Sequence, residues 1–297
     1  MRRYRVGGLL KRVGQAIMAD HILTIAGSVA YNFFFSLFPL LLFAAPILAL
    51  VGNKQQLIDW IMARLASGIP PEAFAPVRTV VQDVVFAPNP PALISLGAAM
   101  TLYSASNIFG TLMTALNIAY HVREDSRPWW RQAAIRFGMV LIVGLLVVVA
   151  ATVMLAGPNI VNTMVSTVGL GSTAKWIWMV VQYPIAFAFL VLALWLIYYV
   201  LPDVKQDKRQ LLIGAVIAAM LWVVATVAFR AYVTDFNKFN KAYGTIGAVL
   251  LLLTWMYYSS VVILAGGELN YALARPQDIK RPAGSKVGKQ DDKKATT

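Results

Sequence analysis

The sequence predicts an all-α, polytopic membrane protein with six transmembrane helices and both termini in the cytoplasm. Three observations predict it. The chain of 297 residues is 59% hydrophobic and only 13% charged, with a mean hydropathy of +0.66, against about 25% charged residues in soluble domains. Its apolar residues are concentrated in uninterrupted runs long enough to cross a hydrocarbon core of about 30 Å. Its basic residues gather in alternate connections between those runs, the charge asymmetry that orients membrane helices.

Residues 1–20 open the chain. Leu10, Val13 and Ile17 recur at helical spacing beside Lys11 and Arg12, the pattern of an amphipathic helix lying in the membrane interface. The basic start resembles that of a signal peptide, but the apolar run behind it is too long and ends in no small-residue cleavage site. The membrane domain is expected over 21–273, with spans at about 22–50, 91–119, 134–157, 175–201, 210–232 and 242–271. Five of these follow from apolarity alone. The second, at 91–119, is uncharged but rich in Ser, Thr and Asn. Its length and the alternation of loop charge place it in the membrane. Between the first two spans, 53–90 carries two short amphipathic patterns separated by Gly68, Pro70 and Pro71, predicting a helical external loop region. Residues 274–297 are polar and basic, and are expected to be a disordered cytoplasmic tail.

With the N-terminus inside, 19 Lys and Arg residues fall on the cytoplasmic side and 7 on the external side. The net charge of +13 is thus explained by topology, and no nucleic-acid partner is expected. Arg123, Arg127 and Arg131 lie in one short cytoplasmic connection, where they set topology, bind anionic headgroups or lock neighbouring helices. There is no cysteine and there are two histidines, His21 and His121. Neither belongs to a metal-ligand pattern, and no phosphate-binding loop, nucleophile elbow or dinucleotide fingerprint is present. No metal, no cofactor and no catalytic set is expected.

Function must then reside in polar groups at membrane depth. Glu268, near the end of the last apolar run, is the strongest candidate; a proton-coupling or ligand-binding carboxylate competes with a junction residue paired to a loop Arg. Asn270 and the Gly266–Gly267 pair belong to the same feature, the glycines permitting close approach or a kink. Ser104, Asn107, Thr111 and Thr114 recur every three to four residues and share a helix face directed into the bundle, as pathway lining or as polar packing. Asn117 lies further along the same helix. Tyr31 and Asn32 with Ser28 and Ser36 on the first span, and Tyr258 with Thr254 on the last, extend the candidate pathway. Pro39 and Pro46 in the first span and Pro184 in the fourth remove helix donors, giving ordinary kinks or a broken helix.

Four strings carry a family resemblance: AYNFFFSLFPLL at 30–41, LYSASNIFGTLMTALNIAY at 102–120, YYVLPD at 198–203 and YGTIGAVLLLLTWMYYSSVVILAGGELNYA at 243–272. In these the chain resembles the YihY/BrkB family of bacterial inner-membrane proteins, from about residue 10 to 275. The resemblance implies six spans and an inner-membrane location. Members carry virulence-associated and serum-resistance labels, and an older ribonuclease BN label that the scattered acidic residues here do not support. The resemblance brings no catalytic set. Tyr31, Pro39, Ser104, Asn107, Asn117, Pro202, Tyr243, Gly244, Glu268 and Asn270 are the motif positions it singles out, while Asn32 stands where many relatives have an aromatic residue. The expected function is a transporter or permease for a lipid or amphipathic solute. The alternatives are a non-transporting envelope-assembly or virulence-associated membrane protein and, more distantly, a ribonuclease. Membrane lipids are the expected partners, with a second copy or an envelope protein as further candidates.

Overall fold

A computed structural model describes residues 6–51, 90–122, 124–168, 172–204, 206–236 and 240–274. Among them are seven helices: α1 (Val6–Ala19), α2 (Ile22–Val51), α3 (Pro90–Ala119), α4 (Trp129–Val168), α5 (Ser172–Val200), α6 (Lys208–Phe236) and α7 (Asn240–Leu273). No strand occurs among the described residues. The predicted external loop at 53–90 and the predicted tail fall almost wholly outside the described residues, as does Arg123.

The helices begin and end where local chemistry dictates. Pro90 and Pro91 open α3, where a missing backbone donor costs nothing. Asp207 caps α6, its Oδ1 accepting the Arg209 backbone N–H at 3.0 Å, as N-cap carboxylates do. At the end of α3 the Val122 N–H donates to the Asn117 carbonyl and the His121 N–H to the Ile118 carbonyl, both at 2.8 Å. This is a Schellman cap, and His121 fills its left-handed position with φ 54°. His21, after α1, also has a positive φ, 52°. Both corners use histidine where glycine is usual.

The sequence leaves open whether the prolines kink or break their helices. Helix α2 runs without interruption past Pro39 and Pro46, and α5 past Pro184. Neither helix is unwound at these prolines, as a broken helix would be.

Two compact units are distinguished. One comprises 1–23, 112–223 and 262–297; the other comprises 24–111 and 224–261. In the first, α4 packs against α5, and Leu112, Leu116, Met139, Leu194, Tyr198, Leu211 and Leu264 form the buried interior. In the second, Ala26, Val29, Ile108 and Phe109 are buried.

The outer surface is what marks the medium. Leu141, Leu145, Val147 and Val148 of α4 are 58–65% exposed. A contiguous apolar surface of this kind is foreign to water and ordinary against lipid. Four described helical stretches, 129–154, 180–200, 208–232 and 249–273, are long and apolar enough to span a bilayer, or five if Lys11–Ala19 and Ile22–Leu37 together make one span. The protein is an all-α, multi-pass membrane protein. Helix α3 falls short on hydropathy because Ser, Thr and Asn dilute its apolar residues.

Candidate functional site

The first unit contains two adjoining polar constructions. One stitches together the α3–α4 and α5–α6 connections. Asn117, on the last turn of α3, accepts the Asp203 backbone N–H at 2.8 Å and donates to Asp125 Oδ2 at 3.2 Å. Asp203 Oδ2 accepts from the Ser126 N–H at 2.8 Å and from its hydroxyl at 2.7 Å. Arg127 lies at the centre. Its Nε donates to Asp125 Oδ1 at 2.8 Å, and its terminal nitrogens reach the Val200 and Leu201 carbonyls at 3.2 and 2.7 Å. The guanidinium thus neutralises two carboxylates and caps the C-terminus of α5, where a cation is favoured. Asp203 is a second, longer partner, 3.8 Å from Arg127 Nε. Burial favours the neutral form of Asp125. The hydrogen bonds and charge of Arg127, with the Asn117 amide, outweigh it and hold the carboxyl below the ordinary carboxylate range.

Of the roles the sequence allows for Arg127, the geometry favours the lock between neighbouring helices, because its donors go to Asp125 and two carbonyls with Asp203 as a longer ionic neighbour. The Asn117 side chain is engaged in joining the two connections. Arg131 is exposed and stays available to headgroups. Trp129 and Trp130 beside it are exposed as well, the disposition of an interfacial aromatic belt.

The second construction surrounds the end of α7. Gly266 meets Tyr198 of α5 and Ala218 of α6, and a Cβ there would lie 2.7 Å from the Ala218 Cβ. Gly267 faces Leu116 of α3, 2.5 Å from where its Cβ would be. The two glycines let α7 approach three helices closely. Tyr198, fully buried, donates from its hydroxyl to the Ile263 carbonyl at 2.7 Å. The Asn270 side chain lies against Gly214 of α6, and the Asn270 carbonyl accepts from Gln210 Nε2 at 3.4 Å.

Glu268 follows directly on the glycine pair and is 1% exposed. Its Oε1 receives no hydrogen bond, and no Lys or Arg pairs with it among the described residues. Its carboxyl lies within hydrogen-bonding reach of the Asp20 carboxyl, at the corner between α1 and α2. The Tyr120 hydroxyl lies beside the Gln206 side chain and within electrostatic range of Glu268, and neither it nor Gln206 Nε2 completes a hydrogen bond. Both side-chain polar atoms of Asn270 are likewise buried and unpaired. Tyr120 is held by edge-to-face packing on Tyr271, with ring centroids 5.8 Å apart. Asp20, Tyr120, Tyr198 and Gln206 were not singled out from the sequence. Asp20 carries one weak signal, a carboxylate at the unfavourable negative end of α1.

Of the remaining candidates, Thr114 and Pro184 belong to the first unit and the others to the second, where they are mostly engaged locally. Asn32 Nδ2 donates to Thr111 Oγ1 at 2.8 Å and to the Ser28 carbonyl at 3.1 Å. Thr111 donates to the Asn107 carbonyl and Ser36 to the Phe33 carbonyl. Ser104, Asn107 and Thr111 are half-buried. Thr114 is exposed, so the four-residue face is not wholly turned inward; the buried hydroxyl on α3 is instead that of Ser106. Tyr31 and Tyr258 are 58% and 51% exposed, whereas Glu268 is sealed. Tyr258 and Glu268 therefore do not form one buried stripe on α7. Pro39 is buried and Pro184 exposed; Gly244 lies within α7 where side-chain surroundings are not described.

Helices α4, α5 and α6 also border an open apolar recess of about 800 Å³, lined by Leu146, Ala150, Met154, Phe187, Leu190 and Trp222 among others. Among the described residues no group of three or more His, Asp or Glu could hold a metal ion.

The family profile described as "Virulence factor BrkB" matches residues 13–291. The ribonuclease-like protein YfkH of Bacillus subtilis is 27% identical over 254 residues, covering 86% of this chain and 90% of the relative. A UPF0761 membrane protein of Vibrio campbellii is 25% identical over 268 residues, covering 89% and 80%. Another, of Cronobacter sakazakii, is 24% identical over 290 residues, covering 92% and 91%. No solved structure matches the chain.

Proposed function

The chain belongs to the YihY/BrkB (UPF0761) family of bacterial membrane proteins, and from that premise we propose that it is an inner-membrane transporter or permease for a lipid or amphipathic solute. The observation that carries this reading is Glu268. A buried carboxylate without a cation is expensive at membrane depth, and the fold gains nothing structural from its unpaired Oε1. Groups retained under those conditions are candidates for binding or proton transfer. The apolar recess between α4, α5 and α6 supports the amphipathic character of the solute. Six spans with both termini inside accompany this proposal. Helices α2 to α7 each contain at least 29 residues, more than the roughly 20 needed to cross, and the positive residues favour that orientation.

A second reading, a non-transporting envelope-assembly protein, draws on the second unit. There the polar side chains of α2 and α3 bond to one another or to their own helices, as packing requires. The ribonuclease-like name of the Bacillus relative is not extended to this chain. Asp125 and Asp203 are tied to Arg127 and Ser126, and Asp20 faces Glu268, which leaves no acidic group arranged for phosphodiester chemistry among these. The test is a flux and lipid-scrambling screen in proteoliposomes. Wild-type protein is expected to move a lipid or amphipathic probe, and Glu268→Gln to fall to the protein-free rate. Equal wild-type and variant rates would remove Glu268 from the mechanism, and no activity for any probe would favour the assembly reading.

A further inference from the structure

Two carboxyl groups are brought together here from opposite ends of the chain. Asp20 terminates α1 and is half-buried, while Glu268 is sealed on α7. They lie within hydrogen-bonding reach of each other. Two ionised carboxylates at that separation repel, and in a site poor in water one of them must take up a cation or a proton. Among the described residues no Lys or Arg forms an ion pair with either carboxyl. Among the described residues, Asp20 and Tyr120 are the titratable groups of neighbouring elements that interact with Glu268. His121 packs on Tyr271, with ring centroids 4.8 Å apart, and Arg127 is committed to Asp125 and Asp203. Beside the acid pair, Tyr120 is completely buried within electrostatic range of Glu268, and its hydroxyl completes no hydrogen bond.

We propose that Asp20 and Glu268 form a proton-binding site, one proton being shared between the two carboxyls and tying the amphipathic helix α1 to α7. The bond is O–H···O⁻, with the proton drawn from solution through the half-exposed Asp20 side and returned to it as pH rises. When the proton leaves, the paired negative charges part, and the lighter of the two supports, the α1–α2 corner, gives way. The corner is already under backbone strain at His21, with φ 52°. Helix α1 is thereby a pH-sensitive element whose seat is the buried end of α7. The site stands whether or not the protein transports a solute, so it does not rest on the function proposed above.

The test is infrared titration of the full-length protein in lipid nanodiscs, following the carbonyl stretch of protonated carboxyl groups, together with amide hydrogen exchange of 6–19. Wild type is expected to show one protonated carboxyl at neutral pH. It disappears at higher pH, as exchange in α1 increases. Glu268→Gln is expected to abolish the band, and Asp20→Asn to lower its titration midpoint by about one pH unit or more by removing the like charge. Because Glu268 is buried, Asp20→Asn and the wild-type titration carry the test if Glu268→Gln does not fold. A band absent at neutral pH, or unmoved by Asp20→Asn, would overturn the proposal. So would a band displaced by raising sodium or potassium at constant pH, which would make a metal cation the occupant. Exchange in α1 independent of pH would overturn the tether.

Discussion

Replacing Arg127 by methionine is expected to destabilise the protein by about 3 kcal/mol or more, because it strands partly buried carboxylates without their cation. Arg127 is hydrogen-bonded to Asp125 and to the Val200 and Leu201 carbonyls, and Asp203 is its second acidic neighbour. One substitution thus releases the C-terminus of α5 and the link between two connections. Lysine should recover only a fraction of the loss, since one ammonium cannot reproduce a planar fork that reaches a carboxylate and two carbonyls together. Thermal unfolding in detergent is the measurement, and a change below about 1 kcal/mol would place the clamp among exposed ion pairs of little consequence. Acid should act in the same direction. Asp125 is held below its ordinary range, so its contribution is complete above the unfolded carboxylate value of about 3.9. It is lost as pH falls from there through the lower folded value, and Asp125→Asn should remove that part of the acid sensitivity.

The second large effect is expected at Gly266. A methyl group there meets the Ala218 Cβ at 2.7 Å and overlaps Tyr198 Oη, and the Ala218 methyl has no flexible end that could yield. Gly266→Ala should cost about 1–3 kcal/mol as overpacking, and Gly266→Leu more. Displacement of Tyr198 would also break its hydrogen bond to the Ile263 carbonyl. Gly144 is the control. Nothing lies within 4 Å of its would-be Cβ, so Gly144→Ala should stay within about 0.5 kcal/mol of wild type. Comparable losses at Gly144 and Gly266 would show that backbone effects, not helix approach, set the outcome.

The described helices were readable because a bilayer imposes a length and an apolar composition that a sequence cannot disguise. The N-terminal helix was readable too, since Leu10, Val13 and Ile17 fall on one face of α1. Glu268 could be picked out for the same reason, as one carboxylate at the end of an apolar run. What lies opposite it could not. Asp20 and Glu268 are separated by most of the chain, and no local pattern encodes their meeting. The Arg127 clamp was legible only as one of several roles for a basic residue in that connection. A basic residue in a short connection between spans has the composition of a topology signal, and only the positions of Asp125, Asp203 and the end of α5 reveal that its charge is turned inward. Thr114 and Tyr258 illustrate the limit of angular counting. Periodicity assigns a face but not the side on which neighbours stand, and both residues are exposed.

The central claim is that Glu268 is kept for the proton or ligand its carboxyl binds and not for the stability of the bundle, the tether to α1 being conditional on that proton. The stability of Glu268→Gln in nanodiscs tests this most directly, read as unfolding free energy beside wild type. A neutral amide of the same shape removes the buried carboxylate and can still donate a hydrogen bond to Asp20, so the account predicts equal stability or a gain of about 1 kcal/mol. A loss of about 2 kcal/mol or more would contradict it, since Glu268 would then be a structural residue whose partner supports the fold.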